Sequence, residues 1–333
     1  MPEPDRKQFN PEAGFSRMKY PLLLYRDEHF NANFYHYSNV DIDHSFLFVD
    51  GSRQVLLVPR MNLKIAKEQF SGTVVPYLDP IAELRKLAKG RKLGVDGSSM
   101  FFRLTEHLKK FCTPVDVSEE LCRSRMAKTM EEVYKIKKAV HSARAILQSL
   151  DIKKGMTESQ VREQLMAGTL ERDLDVSFKS IVAADRNSSF PHYRTGNAKI
   201  NGMVLVDFGV RADYYSSDLT RCFFMGEEKK KAVYLELQEV FNEIIDAMPG
   251  LGTGSELTLF SKKLFKRHHL PELPHAIGHG IGLEVHEYPR LGMKSKDKLA
   301  GATMAIEPSA YFEDFGVRFE ENIYFDGKKA RLL

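Results

Sequence analysis

No part of the 333-residue sequence approaches the ~18 consecutive apolar residues that a membrane-spanning helix needs, so no transmembrane segment is expected. The opening residues, MPEPDRKQFNPEAG, lack an apolar core, and no secretory signal is expected. Cysteine is scarce. Cys112, Cys122 and Cys222 are odd in number and show no CxxC spacing, which speaks against a disulfide framework and for reduced thiols in a cytoplasmic protein. Nothing in their spacing favours a Cys112–Cys122 pair.

A strong excess of one charge sign is also missing. The 49 basic and 45 acidic residues leave a net +4, too diffuse to indicate a nucleic-acid partner. The densest basic run, Lys229-Lys230-Lys231, follows Glu227-Glu228 and reads as a solvated helix face. There is no HExxH helix, no GxSxG elbow and no Walker A loop, so a serine triad has no candidate. Gly278-x-Gly280-x-Gly282 and Gly250-x-Gly252-x-Gly254 lack the spacing of a dinucleotide fingerprint. The second reads as a loop before a helix capped by Thr253 or Ser255.

What is present is an ordinary globular composition, 43% hydrophobic and 28% charged. The length suits about two domains of ~150 residues. Residues 1–124 read as an α/β unit. The apolar runs Ser45–Val49 and Gln54–Val58 flank an Asp50-Gly51 turn signal, and helical stretches follow near 80–89 and 100–111, separated by Leu93-Gly94-Val95. Residues 125–333 form the second domain. It opens on an amphipathic helix with Val133, Ile136, Val140, Ala143 and Leu147 at helical steps, preceded by a Thr129/Glu132 capping box. Another helix starts near Thr157. Beyond about residue 176 the chain turns to short β-like runs, and six of its 11 histidines lie at or after position 192.

Two hairpins in this domain each align an acid with an acid. Met203–Val210 carries Asp207, and Ser216–Phe224 carries Asp218. A hairpin centred between Ala212 and Asp213 sets these two directly opposite, with Cβ atoms ~4.5–5.5 Å apart. Thr303–Phe312 and Gly316–Phe325 repeat the pattern about Glu313-Asp314, with Glu307 opposite Glu320. Buried acids that close repel, and one must take a proton unless a cation lies between them. Pro274–Pro289 adds His275, His279 and His286. Gly278 and Gly280 flank His279, so another backbone can approach there closely. Oxygen ligands with one imidazole suit Mn²⁺, Co²⁺, Fe²⁺ or Zn²⁺.

The order Asp207, Asp218, His279, Glu307, Glu320, within VLVDFGVRADYYSSDLTR, HAIGHGIGLEVHEYP, AIEPSAY and VRFEEN, resembles the metal set of the pita-bread metallopeptidases. These include methionine aminopeptidases, Xaa-Pro aminopeptidases and prolidases. The resemblance covers nearly the whole chain, and the N-terminal domain points to the proline-handling branch. It implies an α/β N-terminal domain of the creatinase/prolidase type followed by an α+β pita-bread catalytic domain. It also implies two divalent ions per chain, Mn²⁺ or Co²⁺ first and Zn²⁺ or Fe²⁺ as alternatives, and a homodimer acting on short proline-containing peptides.

Residue by residue, the resemblance makes Asp207 a chelating ligand and Asp218 a bridging one. His279 and Glu307 hold the second ion, and Glu320 bridges again. Catalytic roles fall to Glu307, which shuttles the proton, and to His286 and His192, which also bind substrate. Arg290 grips the carboxylate of a dipeptide. The implied activity is hydrolysis of the Xaa-Pro imide bond by a hydroxide bridging the two ions. Alternatives are an Xaa-Pro aminopeptidase acting on longer peptides and a catalytically silent peptide-binding relative. Ser309 departs from the family's usual glycine without removing a ligand.

Overall fold

A computed structural model describes residues 18–333; the polar opening stretch, residues 1–14, lies outside the described residues. The chain divides into two compact units, one ending at Ser124 and the other running from Arg125 to Leu333.

The first unit is α/β. Its elements run β1 (Leu22–Arg26), α1 (Ala32–Ser38), β2 (Ser45–Asp50), β3 (Arg53–Pro59), α2 (Leu63–Gln69), β4 (Thr73–Tyr77), α3 (Pro80–Ala88), β5 (Lys92–Val95), α4 (Phe102–Lys109), β6 (Thr113–Asp116) and α5 (Ser118–Ser124). The strands form one six-stranded sheet in the order β4-β3-β2-β1-β5-β6. Both faces are buried, which is why its strands read as unbroken apolar runs. Leu22, Leu24, Leu47, Val49, Leu56 and Val58 pack to one side with Phe34 of α1 and Leu121 of α5. The intervening Leu23, Phe46, Phe48, Val55 and Leu57 pack to the other with Leu84 of α3 and Leu108 of α4. The β2–β3 turn differs from the sequence reading. Asp50 pairs with Arg53, so Gly51-Ser52 makes the turn, and Gly51 supplies the positive φ of 58°.

The second unit is α+β. It contains α6 (Met130–Gln148), α7 (Glu158–Leu170), β7 (Asp175–Val176), β8 (Ile181–Ala184), β9 (Met203–Phe208), β10 (Val210–Ala212), β11 (Tyr215–Ser216) and β12 (Leu219–Phe224). Then come α8 (Glu228–Ala247), α9 (Gly254–Arg267), β13 (Gly278–Gly280), β14 (Glu287–Arg290), β15 (Ala302–Ile306), β16 (Ser309–Tyr311), β17 (Gly316–Arg318), β18 (Glu321–Phe325) and β19 (Ala330–Leu332). Three of the four helices start at capping boxes, Thr129 with Glu132, Thr157 with Gln160 and Thr253 with Glu256. Each such N-cap contributes about 1 kcal/mol. The expected stripe on α6 is buried, including Val133, Ile136, Val140, Ala143 and Leu147.

Small antiparallel sheets, β12-β9-β8, β11-β10-β7 and β16-β17, accompany a five-stranded one, β14-β13-β15-β18-β19. Leu237, Phe241 and Ile244 of α8 and Leu257 and Leu264 of α9 share a core with Leu205 of β9, Met304 of β15 and Ile323 of β18. The helices therefore cover one side of the strands that carry the acids. Among the described residues no helix is long and apolar enough to cross a membrane. All three cysteines are free thiols.

Candidate metal centre

Strand β9 is buried along its whole length, and Asp207 is its one acid. The ladder sets Asp207 against Thr220 of β12, not against Asp218 as the spacing predicts. The cause is the turn. Ala212 pairs with Tyr215, so the loop is the two-residue Asp213-Tyr214, with φ of 49° and 71°. Two consecutive positive φ values match the right-handed twist of a hairpin, whereas a wider loop would not impose it. A displacement of two positions preserves the face of a pleated strand. Asp218, just ahead of β12, accordingly still meets Asp207, with the two carboxyl groups in position to share a proton.

The second hairpin has the register expected. Ile306 pairs with Glu321, and Ser309 with Arg318, which brackets Glu307 and Glu320. Neither acid belongs to a ladder. The pairing is interrupted where Pro308, without an N–H, could not extend it. Glu307 N donates instead to Ile277 O at 2.9 Å, and Glu320 N to Thr220 O at 3.3 Å. Ser309 Oγ donates to the Glu307 carbonyl at 2.8 Å, so the departure from glycine supports the backbone beside the acid.

His279 lies on β13, between β14 and β15. A Cβ at Gly278 would stand 2.0 Å from Ala305 O, and one at Gly280 would stand 2.2 Å from Tyr288 O. Only glycine permits that approach on both sides of the imidazole. Its Nε2 is 3.5 Å from Asp218 Oδ2. Ligand atoms of Asp218, His279 and Glu320 all lie within 4.8 Å of one another. Asp207 and Glu307 stand outside this triangle, yet both raise the pKa of Asp218 and Glu320.

The electrostatics favour a cation. Burial raises the pKa of Asp218 and of Glu320 well above the ordinary carboxylate range, and the neighbouring acids push each further. Burial also raises Asp207, against the pull of Arg318. Asp207 Oδ1 and Asp218 Oδ1 are buried and receive no hydrogen bond. Orphaned acceptors of this kind cost about 1–3 kcal/mol each, and a buried unpaired charge more. Two carboxylates and an imidazole converging on one small volume, with the donor-less oxygen of Asp218 among them and that of Asp207 beside them, fit a divalent cation.

The remaining residues named from sequence fall into place unevenly. The His286 ring is 4.1 Å from that of His279, centroid to centroid. His286 is exposed at the rim of the site, where partial desolvation and then His279 lower its pKa. His192 is exposed and close enough to act on His286 electrostatically. Arg290 is exposed at the end of β14, directly across from His279, with its guanidinium 4.9 Å from the Tyr288 ring. His275 does not join the acid cluster. Its Nδ1 is 4.0 Å from Glu307 Oε2 and 2.7 Å from Ala276 O, and its Nε2 is 3.3 Å from Tyr311 OH.

Sequence reasoning missed Arg318, Thr220 and Tyr311. Buried Arg318 donates from Nη2 to Asp207 Oδ2 at 2.5 Å, from Nε to Thr220 Oγ1 at 2.9 Å and from Nη1 to Tyr311 OH at 3.0 Å. Thr220 Oγ1 in turn donates to Glu320 Oε2 at 2.7 Å. Burial opposes the Arg318 charge, and Asp207, Tyr311 and the two glutamates overcome it, holding it more firmly protonated than usual. One legible signal existed: an arginine two positions before Glu320 in an apolar run shares its face.

The sequence profile described as metallopeptidase family M24 matches residues 129–326. The chain is 30% identical over 321 residues to an Xaa-Pro dipeptidase of Pyrococcus horikoshii, covering 91% of this chain and 90% of that one. It is 29% identical over 325 residues to the Xaa-Pro dipeptidase of Pyrococcus furiosus, with the same coverage. The solved prolidase of Pyrococcus furiosus superposes with a TM-score of 0.84 at 25% identity, over 94% of this chain and 95% of that one. The fold is therefore the prolidase type, an α/β domain followed by a pita-bread domain, and the acid-lined hairpins lie within the matched region. The chain belongs to metallopeptidase family M24.

Proposed function

We propose that the protein is an Xaa-Pro dipeptidase whose centre is dinuclear, held by Asp207, Asp218, His279, Glu307 and Glu320. The observation that carries this reading is the convergence of Asp218, His279 and Glu320 within 4.8 Å beside buried acid oxygens that lack donors. When bound, divalent ions supply Lewis acidity to the scissile carbonyl and make water acidic enough to furnish a nucleophile near neutral pH.

The chain's own residues do the rest. An imide bond to proline has no N–H, so recognition must use the carbonyl, the ring and the termini. His286, open to solvent with its ring against that of His279, can donate one hydrogen bond to the carbonyl oxygen as negative charge develops there. His192 contributes a second polar contact from the exposed side. Glu307 carries the proton to the departing proline nitrogen. Arg290 reaches the free carboxylate of a dipeptide, where a bidentate fork favours short substrates. Arg318, through Asp207 and Thr220, keeps the acid cluster in one arrangement.

Mn²⁺ or Co²⁺ as the native ions and a homodimer belong to the same proposal and rest on the family resemblance, while a cytoplasmic location rests on the scarce, unpatterned cysteines; metal analysis and sedimentation check the first two. The test of function is a peptide panel after chelation and reconstitution. Activity on Ala-Pro should vanish with chelator and return with Mn²⁺ or Co²⁺, and Ala-Pro should be cleaved faster than Ala-Pro-Ala. Chelator-indifferent hydrolysis refutes the metal centre. Preference for the tripeptide replaces the dipeptidase with an aminopeptidase.

A further inference from the structure

Glu158 opens α7 as its first residue and is fully buried, with 0% exposure. No cation pairs with it among the described residues. Four neutral donors converge on its carboxylate instead. Oε1 accepts from Ala184 N at 2.8 Å and Asn187 Nδ2 at 2.9 Å. Oε2 accepts from Gly196 N at 2.9 Å and Tyr193 OH at 3.0 Å. Asn187 Nδ2 also donates to Tyr193 OH at 2.9 Å, which closes the set. A buried carboxylate is tolerated when its lone pairs are filled in this way.

All four donors come from one segment, residues 184–196. The donors flank Phe190-Pro191-His192 on both sides, so the carboxylate gathers the feet of a loop whose exposed tip is His192. The middle of the loop is docked on the site as well. Gly316 N donates to Ser188 Oγ at 2.9 Å, and Gly316 begins β17, the strand that ends in Arg318. Glu158 therefore fixes a loop with one end of its reach at the proposed substrate contact and the other at the strand that steadies Asp207.

We propose that Glu158 is a positioning residue for the reaction, acting through His192. This rests on the proposed role of His192. A glutamine at 158 keeps the shape but turns an NH₂ toward one of the two backbone N–H donors, Ala184 or Gly196, which cannot become an acceptor, and forces the Asn187 or Tyr193 side chain on that side to reorient. The loop then gives up its fixed geometry, and a contact misplaced by about 1 Å can lose 10²-fold in rate.

The experiment is a double-mutant cycle on the metal-loaded enzyme with Ala-Pro, using E158Q, H192A and the double variant. E158Q should lower kcat/KM by about 10- to 100-fold in the wild-type background and by less than about 2-fold in H192A, because interacting residues are non-additive. Metal stoichiometry should stay unchanged in all three. Amide exchange should rise in residues 184–196 of E158Q and not elsewhere. If E158Q fails to fold, Y193F removes one donor from the same carboxylate and should show the same non-additivity with a smaller loss. Equal losses in both backgrounds overturn the proposal, since a merely structural residue costs the same with or without His192. An H192A enzyme as active as wild type overturns it too. Neither outcome touches the metal assignment, which falls only if activity survives chelation.

Discussion

Replacing Asp218 by Asn separates the centre's contribution to stability from its contribution to metal binding. Asp218 is buried, and its Oδ1 receives no hydrogen bond. Its backbone is held independently, with its N–H donating to Asn322 Oδ1 at 2.9 Å and its carbonyl accepting from Asn322 Nδ2 at 2.7 Å. The substitution therefore leaves the chain path intact and removes one negative charge within 4.8 Å of Glu320. At an effective dielectric of ~20, two unit charges at that separation repel by roughly 3–4 kcal/mol, an upper bound because either acid can take a proton instead.

The sign follows from the raised pKa of Asp218 in the folded protein. Such a group contributes full stability below its unfolded pKa and loses it as pH rises through the folded value. Metal-free wild type should then weaken as pH rises, while D218N lacks that loss. In denaturant melts of chelator-stripped protein, D218N should be more stable than wild type at pH 8, with a smaller advantage at pH 6. With Mn²⁺ added, the order should reverse, because wild type gains binding free energy that D218N cannot recover. A metal-free D218N less stable than wild type at pH 8 would refute the reasoning, as would an undiminished Mn²⁺-induced shift.

Two more outcomes follow from single contacts. Thr220→Val deletes a hydroxyl that donates to Glu320 and accepts from Arg318, both buried, and should cost about 1–3 kcal/mol in thermal or denaturant unfolding while weakening metal affinity. A variant with wild-type stability would show that Arg318 Nε finds another acceptor. Arg290→Ala, exposed and free of the acid cluster, should leave stability within about 0.5 kcal/mol. It should raise KM for Ala-Pro several-fold more than for Ala-Pro-Ala, and equal losses on both would remove the carboxylate grip.

The amino-acid sequence by itself determined what depends on neighbours in the chain. Capping boxes at Thr129, Thr157 and Thr253 set helix starts because a side chain and an N–H three residues apart meet whatever else the fold does. Apolar runs about an Asp50-Gly51 turn signal marked β2 and β3, and acids set in apolar runs marked Asp207 and Glu307 as candidate ligands. Their order along the chain carried the family. The tertiary structure alone decided how those acids are made tolerable.

The pairing of Asp207 with Thr220 hinges on a tight Asp213-Tyr214 turn that spacing did not distinguish from a wider loop. Arg318 reaches Asp207, Thr220 and Tyr311, and Glu158 gathers donors from residues 184–196, each through contacts between segments distant in sequence. A side chain's polarity is local, but its hydrogen-bond partner depends on which distant strands become neighbours. An acid within an apolar run therefore marks a candidate site, and only the packed structure tells what compensates its charge.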